Sequence, residues 1–155
     1  MEALMSRVQL ALNVSNLDQS IEFYSKFFKT PPAKVRPGYA NFAIEQPPLK
    51  LVLIENADHA GSLNHLGVEV FSTDEVSDAA VYLAGVGLTT RGEDETTCCY
   101  AVQDKVWVDG ADNVPWEVYT VLADSPTANG AAGDNRCCVL DAPASPEGSA
   151  VASCC

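Results

Sequence analysis

All six cysteines of this 155-residue chain stand in adjacent pairs: Cys98-Cys99, Cys137-Cys138 and Cys154-Cys155. Neighbouring cysteines close a disulfide only through a strained ring and are poor staples, so in a reducing compartment they point to soft-ion binding or redox work. Soft thiolates select thiophilic ions, and a two-thiol chelate matches trivalent arsenic, Cd(II) or Zn(II). Successive side chains on an extended strand point to opposite faces. For Cys98 and Cys99 to hold one atom, the backbone must therefore turn between them. The polar run GEDETT ahead of the pair favours a loop there; the plainer alternative is two small buried residues opening a strand.

A second candidate group comes from strand parity. In RVQLALNV, Gln9 lies opposite the Val8, Leu10 and Leu12 face; in NHLGVEVF, His65 lies opposite Leu66, Val68 and Val70; in PWEVYTVLA, Glu117 lies opposite Trp116 and Val118. The apolar faces would pack on helices, leaving Gln9, His65 and Glu117 on the concave side of one sheet. An imidazole and a carboxylate with open coordination positions suit Fe(II) and its oxygen chemistry, and an amide oxygen completes the set as its weakest donor. Three unrelated polar residues on a half-wet face is the competing reading. His59, in the loop NADHAGS, is expected to be solvated, and Tyr39, Phe42, Tyr100 and Trp107 are candidate pocket walls.

The elements that must position these residues follow from periodicity. RVQLALNV alternates as a strand, and SNLDQSIEFYSKFF follows as a helix with Ser15 or Asn16 as cap and Leu17, Ile21, Tyr24 and Phe28 as its buried stripe. YANFAIE and LKLVLIE read as two strands, with PAKVR a short edge strand before them. The pattern then restarts: NHLGVEVF is a strand, and STDEVSDAAVYLAGVG is a helix with a capping box at Ser72 or Thr73 and a glycine stop at Gly85 or Gly87. LTTRGED, AVQDKVWVDG and PWEVYTVLA are three further strands. The expected fold is α+β, two βαβββ modules over about residues 6–56 and 63–123 of one domain spanning 6–123. Residues 124–155, rich in Ala, Ser, Gly, Pro and Asp, are expected to be a flexible tail carrying the other two cysteine pairs.

A net charge of −12 would repel nucleic acid and anionic lipid surfaces. No run of 18 apolar residues is present, and MEALMSRVQL lacks the basic-then-apolar pattern of a secretory signal. A cytoplasmic location is expected, with neither nucleic acid nor membrane as a partner.

Two βαβββ modules with a metal set drawn from the first, fifth and last strands resemble the vicinal oxygen chelate superfamily, which includes glyoxalase I and the extradiol dioxygenases. Closer still, RVQLALNV, FYSKFF, PGYANFAI, PPLKLVLIEN, LNHLGVEV, TTCCYA, QDKVWV and PWEVYTVLADS resemble the ArsI carbon-arsenic lyases and the related cadmium-induced CadI proteins, over about residues 6 to 125. The resemblance implies a cupped mixed sheet and an Fe(II)-dependent dioxygenase that cleaves the carbon-arsenic bond of trivalent organoarsenicals, methyl or aryl, to release arsenite. It implies Gln9, His65 and Glu117 as iron ligands and Cys98 and Cys99 as the pair that captures arsenic, with dioxygen as co-substrate and a monomer or homodimer as the assembly. Two alternatives stay open. A CadI-like thiol protein would bind Cd(II) or As(III) without turnover, and a glyoxalase-type metalloenzyme would need a fourth ligand where Lys50 stands. A fosfomycin-modifying protein of the same superfamily is disfavoured by the adjacent cysteines.

Overall fold

The computed structural model describes residues 5–128. The chain runs β1 (Arg7–Val14), α1 (Leu17–Phe27), β2 (Lys34–Arg36), β3 (Tyr39–Ile44), β4 (Leu49–Glu55), then β5 (Leu63–Glu69), α2 (Thr73–Gly85), β6 (Thr90–Cys98), β7 (Ala101–Asp109) and β8 (Pro115–Asp124). All eight strands form one mixed sheet in the order β2-β3-β4-β1-β5-β8-β7-β6. The first strands of the two βαβββ repeats, β1 and β5, meet antiparallel at its centre, and each pairs in parallel with the last strand of its own repeat, β4 and β8.

Local chemistry explains where the helices begin and which face of the sheet they cover. Asn16 caps α1 by accepting the Gln19 amide at 2.9 Å. Ser72 caps α2, accepting the Glu75 amide at 3.2 Å while Glu75 returns a carboxylate to the amide of Phe71 at 3.0 Å. Leu17, Ile21, Tyr24 and Phe28 of α1 and its C-cap pack on Leu10, Leu12 and Val14 of β1 and on Phe42, Ile44, Leu51 and Leu53. On the same side, Val76 and Leu83 of α2 pack on Val68, Val106 and Val118. Period-two alternation then leaves Gln9, Ala11 and Asn13 on the opposite, concave side of β1. This side is the more deeply buried of the two: Ala11 is fully buried, whereas Val8 on the helix side is 47% exposed.

Two expectations from the sequence are corrected. The loop expected over GEDETT is strand: β6 continues to Cys98, with its irregularity confined to a bulge between Glu93 and Thr96, where Glu95 takes φ +46°. Asp104 of β7 holds that bulge by accepting the Glu95 amide at 2.7 Å, which supplies the hydrogen bond a broken ladder would lose. Phe42, expected as a pocket wall, packs in the helix-side core, because it is three residues from Tyr39 and so falls on the other face of β3. Cys137, Cys138, Cys154 and Cys155, with nearly all of the expected tail, lie outside the described residues. None of the helices described is long and apolar enough to cross a membrane.

Candidate metal and thiol site

Gln9, His65 and Glu117 converge although 56 and 108 residues separate Gln9 from the other two. Gln9 Nε2 lies 3.0 Å from His65 Nε2 and donates to Glu117 Oε1 at 2.8 Å, and His65 Nε2 is 3.3 Å from the same oxygen. The three side chains are at most 5% exposed. Register dictates this meeting: Gln9 pairs across to Gly67, and Gly67 pairs across to Glu117. Gly67 is what lets the two flanking side chains close over it, since a Cβ there would lie 3.0 Å from Glu117 Cγ and 3.4 Å from Gln9 Cβ.

Supporting contacts orient each member. Asn64 Oδ1 sits 2.7 Å from His65 Nδ1. Asn64 in turn donates to Asn13 Oδ1 at 3.0 Å, Asn13 donates to Ser62 Oγ at 3.0 Å, and Ser62 donates to the carbonyl of His59 at 2.6 Å. Read along this chain, Nδ1 carries the imidazole proton and Nε2 presents its lone pair to the Gln9 NH2, the tautomer a metal ligand requires. Lys105, fully buried on β7, donates to Glu117 Oε2 at 2.8 Å. Burial alone would raise the Glu117 pKa, but the Lys105 ammonium outweighs it and holds the carboxyl at about 2. Trp107 meets His65 edge-to-face with centroids 5.4 Å apart, and Lys105 Nζ lies 5.4 Å from the Trp107 ring centre.

The geometry fits a divalent cation. Cis ligands around an octahedral ion with bonds near 2.1 Å lie about 3 Å apart, and the three pairwise separations here are 2.8 to 3.3 Å. Among the described residues no group of three His, Cys, Asp or Glu is placed to hold a metal, so an ion here would rely on the amide as third donor. Gln9 turns its NH2 inward to bridge the carboxylate and imidazole. To ligate, the amide would rotate and present its oxygen, an exchange of atoms of nearly the same shape.

The cysteine pair occupies the other end of the same concave face. Cys98 ends β6 and pairs with Ala101; the two-residue connection is Cys99-Tyr100, with φ +50° and +61°. Two successive positive φ values mark the tight hairpin turn usually built from Asn and Gly, and here a Cys and a Tyr bear its cost. The backbone thus turns at the pair, and Cys98 and Cys99 enter one buried cluster with Ala11, Tyr39, Val52 and Ile54. Cys98 is disulfide-bonded in this structure, so the form able to chelate through both sulfurs is the reduced one. Tyr100 packs on Tyr39 with centroids 5.7 Å apart and donates its hydroxyl to the carbonyl of Pro37 at 3.1 Å.

A small cavity of about 30 Å³ joins the two groups, lined by Gln9, Lys50, Cys99, Gln103, Glu117 and Tyr119 among others. A larger hollow of about 280 Å³ lies elsewhere, between α1 and the loop at Gly61, and reaches neither Cys99 nor Glu117. Lys50 pairs in register with Gln9; burial lowers its pKa, and Glu69 at 3.9 Å opposes that. His59 is half-buried rather than solvated and stands apart from the cavity. Lys105, Asn64 and Tyr119 are the site residues that sequence reasoning missed. The one available signal was Lys105, a lysine in the otherwise core-like strand AVQDKVWVD.

The sequence profile of the Glyoxalase/Bleomycin resistance protein/Dioxygenase superfamily matches residues 6–118. A trivalent organoarsenical cleaving enzyme from Thermomonospora curvata is 57% identical over 152 residues, covering 97% of this chain and 100% of that one. Cadmium-induced protein CadI from Mycobacterium bovis is 61% identical over 123 residues, 79% of this chain and 81% of that one. Among solved structures, an extradiol ring-cleaving dioxygenase from B. fuscum shares the fold with a TM-score of 0.58 at 17% identity, over 78% of this chain and 33% of that one.

Proposed function

Because this chain belongs to the Glyoxalase/Bleomycin resistance protein/Dioxygenase superfamily, alongside trivalent organoarsenical cleaving enzymes and CadI proteins, we propose that it cleaves the carbon-arsenic bond of trivalent organoarsenicals and releases inorganic arsenite. The single observation that carries this reading is the shared cavity, whose lining includes Cys99 at one end and Gln9 and Glu117 at the other. Reduced Cys98 and Cys99 displace two hydroxyls from the arsenical and hold arsenic by two sulfur bonds. The organic carbon is then confined to the side of the metal set, which turns a chance encounter into an effectively intramolecular one. Gln9, His65 and Glu117 would hold Fe(II), whose contribution when bound is the activation of dioxygen. Asn64 keeps the imidazole in its ligating tautomer, and Lys105 keeps Glu117 ionised and directed inward. Trp107 and Tyr119, both nearly fully buried, exclude bulk water from this face of the sheet. The thiol chemistry suits the reducing cytoplasm.

A second reading is favoured by the likeness to CadI: a thiol protein that retains Cd(II) or As(III) without turnover. Incubating the reduced protein with methylarsenite, with and without Fe(II) and with and without dioxygen, separates the two. Inorganic arsenite that appears only when iron and dioxygen are both present is the expected result. Stoichiometric methylarsenite retained unchanged under every condition would establish the sink instead.

A further inference from the structure

Among the described residues, two polar atoms of residues lining the shared cavity have no hydrogen-bond partner. Tyr119 is 1% exposed and its hydroxyl meets no partner among them; Gln103 is 6% exposed, donates Nε2 to the carbonyl of Cys98 at 3.1 Å, and leaves Oε1 unmet among them. A buried polar atom left unpaired is costly, and native proteins seldom keep one without a use. The Tyr119 hydroxyl can donate, and the Gln103 oxygen can only accept. A guest that satisfies both must take one hydrogen bond and give another, which is what a hydroxyl group does. A cavity of about 30 Å³ has room for a group of that size.

The chemistry of trivalent arsenic says when a hydroxyl would stand there. Two thiols and methylarsenite give CH3As(SR)2 and two waters, with no hydroxyl left on arsenic. Two thiols and arsenous acid, As(OH)3, give As(OH)(SR)2 and two waters, with one hydroxyl kept. Neither exchange changes the oxidation state. Gln103 holds the backbone of the thiol turn with its NH2, so its oxygen is tied in position to the arsenic-binding pair.

We propose that Tyr119 and Gln103 form a hydroxyl site that recognises inorganic arsenite on Cys98 and Cys99, through the As–OH that takes the place of the organic group. The inference rests on the reading above that the thiol pair holds arsenic, and it makes the cavity selective for the product of cleavage over its substrate.

The test compares the reduced, metal-free full chain, carrying Cys137→Ser, Cys138→Ser, Cys154→Ser and Cys155→Ser so that only one thiol pair remains, with its Tyr119→Phe variant in equilibrium dialysis against arsenite and against methylarsenite. The variant is expected to bind arsenite about tenfold more weakly, the loss of one hydrogen bond, and methylarsenite within twofold of the parent chain. Its melting temperature should equal or exceed that of the parent, because the change deletes an unmet buried polar group. Gln103→Met should show the same asymmetry between the two arsenicals. Unchanged arsenite affinity in Tyr119→Phe, or an equal loss for both arsenicals, would overturn the hydroxyl site while leaving the thiol reading intact. Failure of the parent chain to bind either arsenical would remove both.

Discussion

Glu117 is a carboxylate that a buried lysine makes safe to bury. Its pKa of about 2 lies below the ordinary value of 4.5 because the Lys105 ammonium overcomes the cost of burial. For a depressed carboxyl, the ionised form stabilises the fold at every pH above the ordinary value, and that contribution is lost as pH falls from about 4.5 towards about 2. Lys105→Met should strip away the counter-charge, cost about 3 kcal/mol of stability at neutral pH, and move acid unfolding of the metal-free protein to higher pH. Circular dichroism through an acid titration measures this; an acid midpoint unchanged by the substitution would contradict the pairing. At the thiols, Cys98→Ser and Cys99→Ser should each abolish arsenite production and weaken As(III) binding at least tenfold, since one sulfur cannot chelate. Turnover unchanged in either variant would remove the proposed role. The meeting of Gln9, His65 and Glu117 was legible at this scale because parity on three strands puts them on one face. Lys105 and Tyr119 were not, because a buried charge or hydroxyl is recognisable only once its surroundings are known.

Elements place these residues through register, and a single glycine sets the closest approach. Gly67→Ala would press a methyl 3.0 Å from Glu117 Cγ and 3.2 Å from the Glu117 carbonyl, so the carboxylate must shift away from Gln9. Metal affinity, read by competition with a chromogenic chelator, is expected to fall about tenfold to a hundredfold, as when a ligand loses its orientation; unaltered affinity would show that the three groups are less tightly constrained. Asp104 does comparable work for the thiol hairpin, accepting Thr73 Oγ at 2.7 Å from the first turn of α2 and the Glu95 amide at 2.7 Å from the bulge. Asp104→Ala should cost about 2–3 kcal/mol, as expected for two hydrogen bonds to a buried carboxylate, with a lowered melting temperature as the readout. Both helices, their caps to within one residue and most strands could be read from the sequence, since each announces itself locally; the structure selects Asn16 over Ser15 and Ser72 over Thr73. The strand over GEDETT could not: its composition is that of a loop, and it is strand because β7 pairs with it and Asp104 repairs its irregularity.

Across the whole molecule, the two βαβββ repeats curve one sheet so that its opposite ends meet over the cavity. Lys34 of β2 donates to the carbonyl of Tyr100 at 3.1 Å and pairs with Asp124 at the end of β8, and the Ser125 amide bonds the same carbonyl at 2.9 Å. The thiol turn is thereby tied to the first repeat as well as to the last strand. The repeat itself was visible in the sequence; this tie was not, because it joins residues whose proximity depends on the curvature of the full sheet. Deleting residues 126–155 keeps every one of these contacts and should spare turnover at saturating substrate, so that complete loss of activity in the truncated chain would assign the remaining cysteines a part in catalysis. The central claim is spatial: arsenic on the Cys98-Cys99 turn faces the cavity that Gln9 and Glu117 line. The direct measurement is the position of arsenic, by anomalous scattering, in crystals of the reduced protein soaked with methylarsenite. A peak bridging the Cys98 and Cys99 sulfurs, with the methyl group directed towards Gln9, His65 and Glu117, is the expected result; arsenic bound on the outer surface, or turned away from those three side chains, would contradict it.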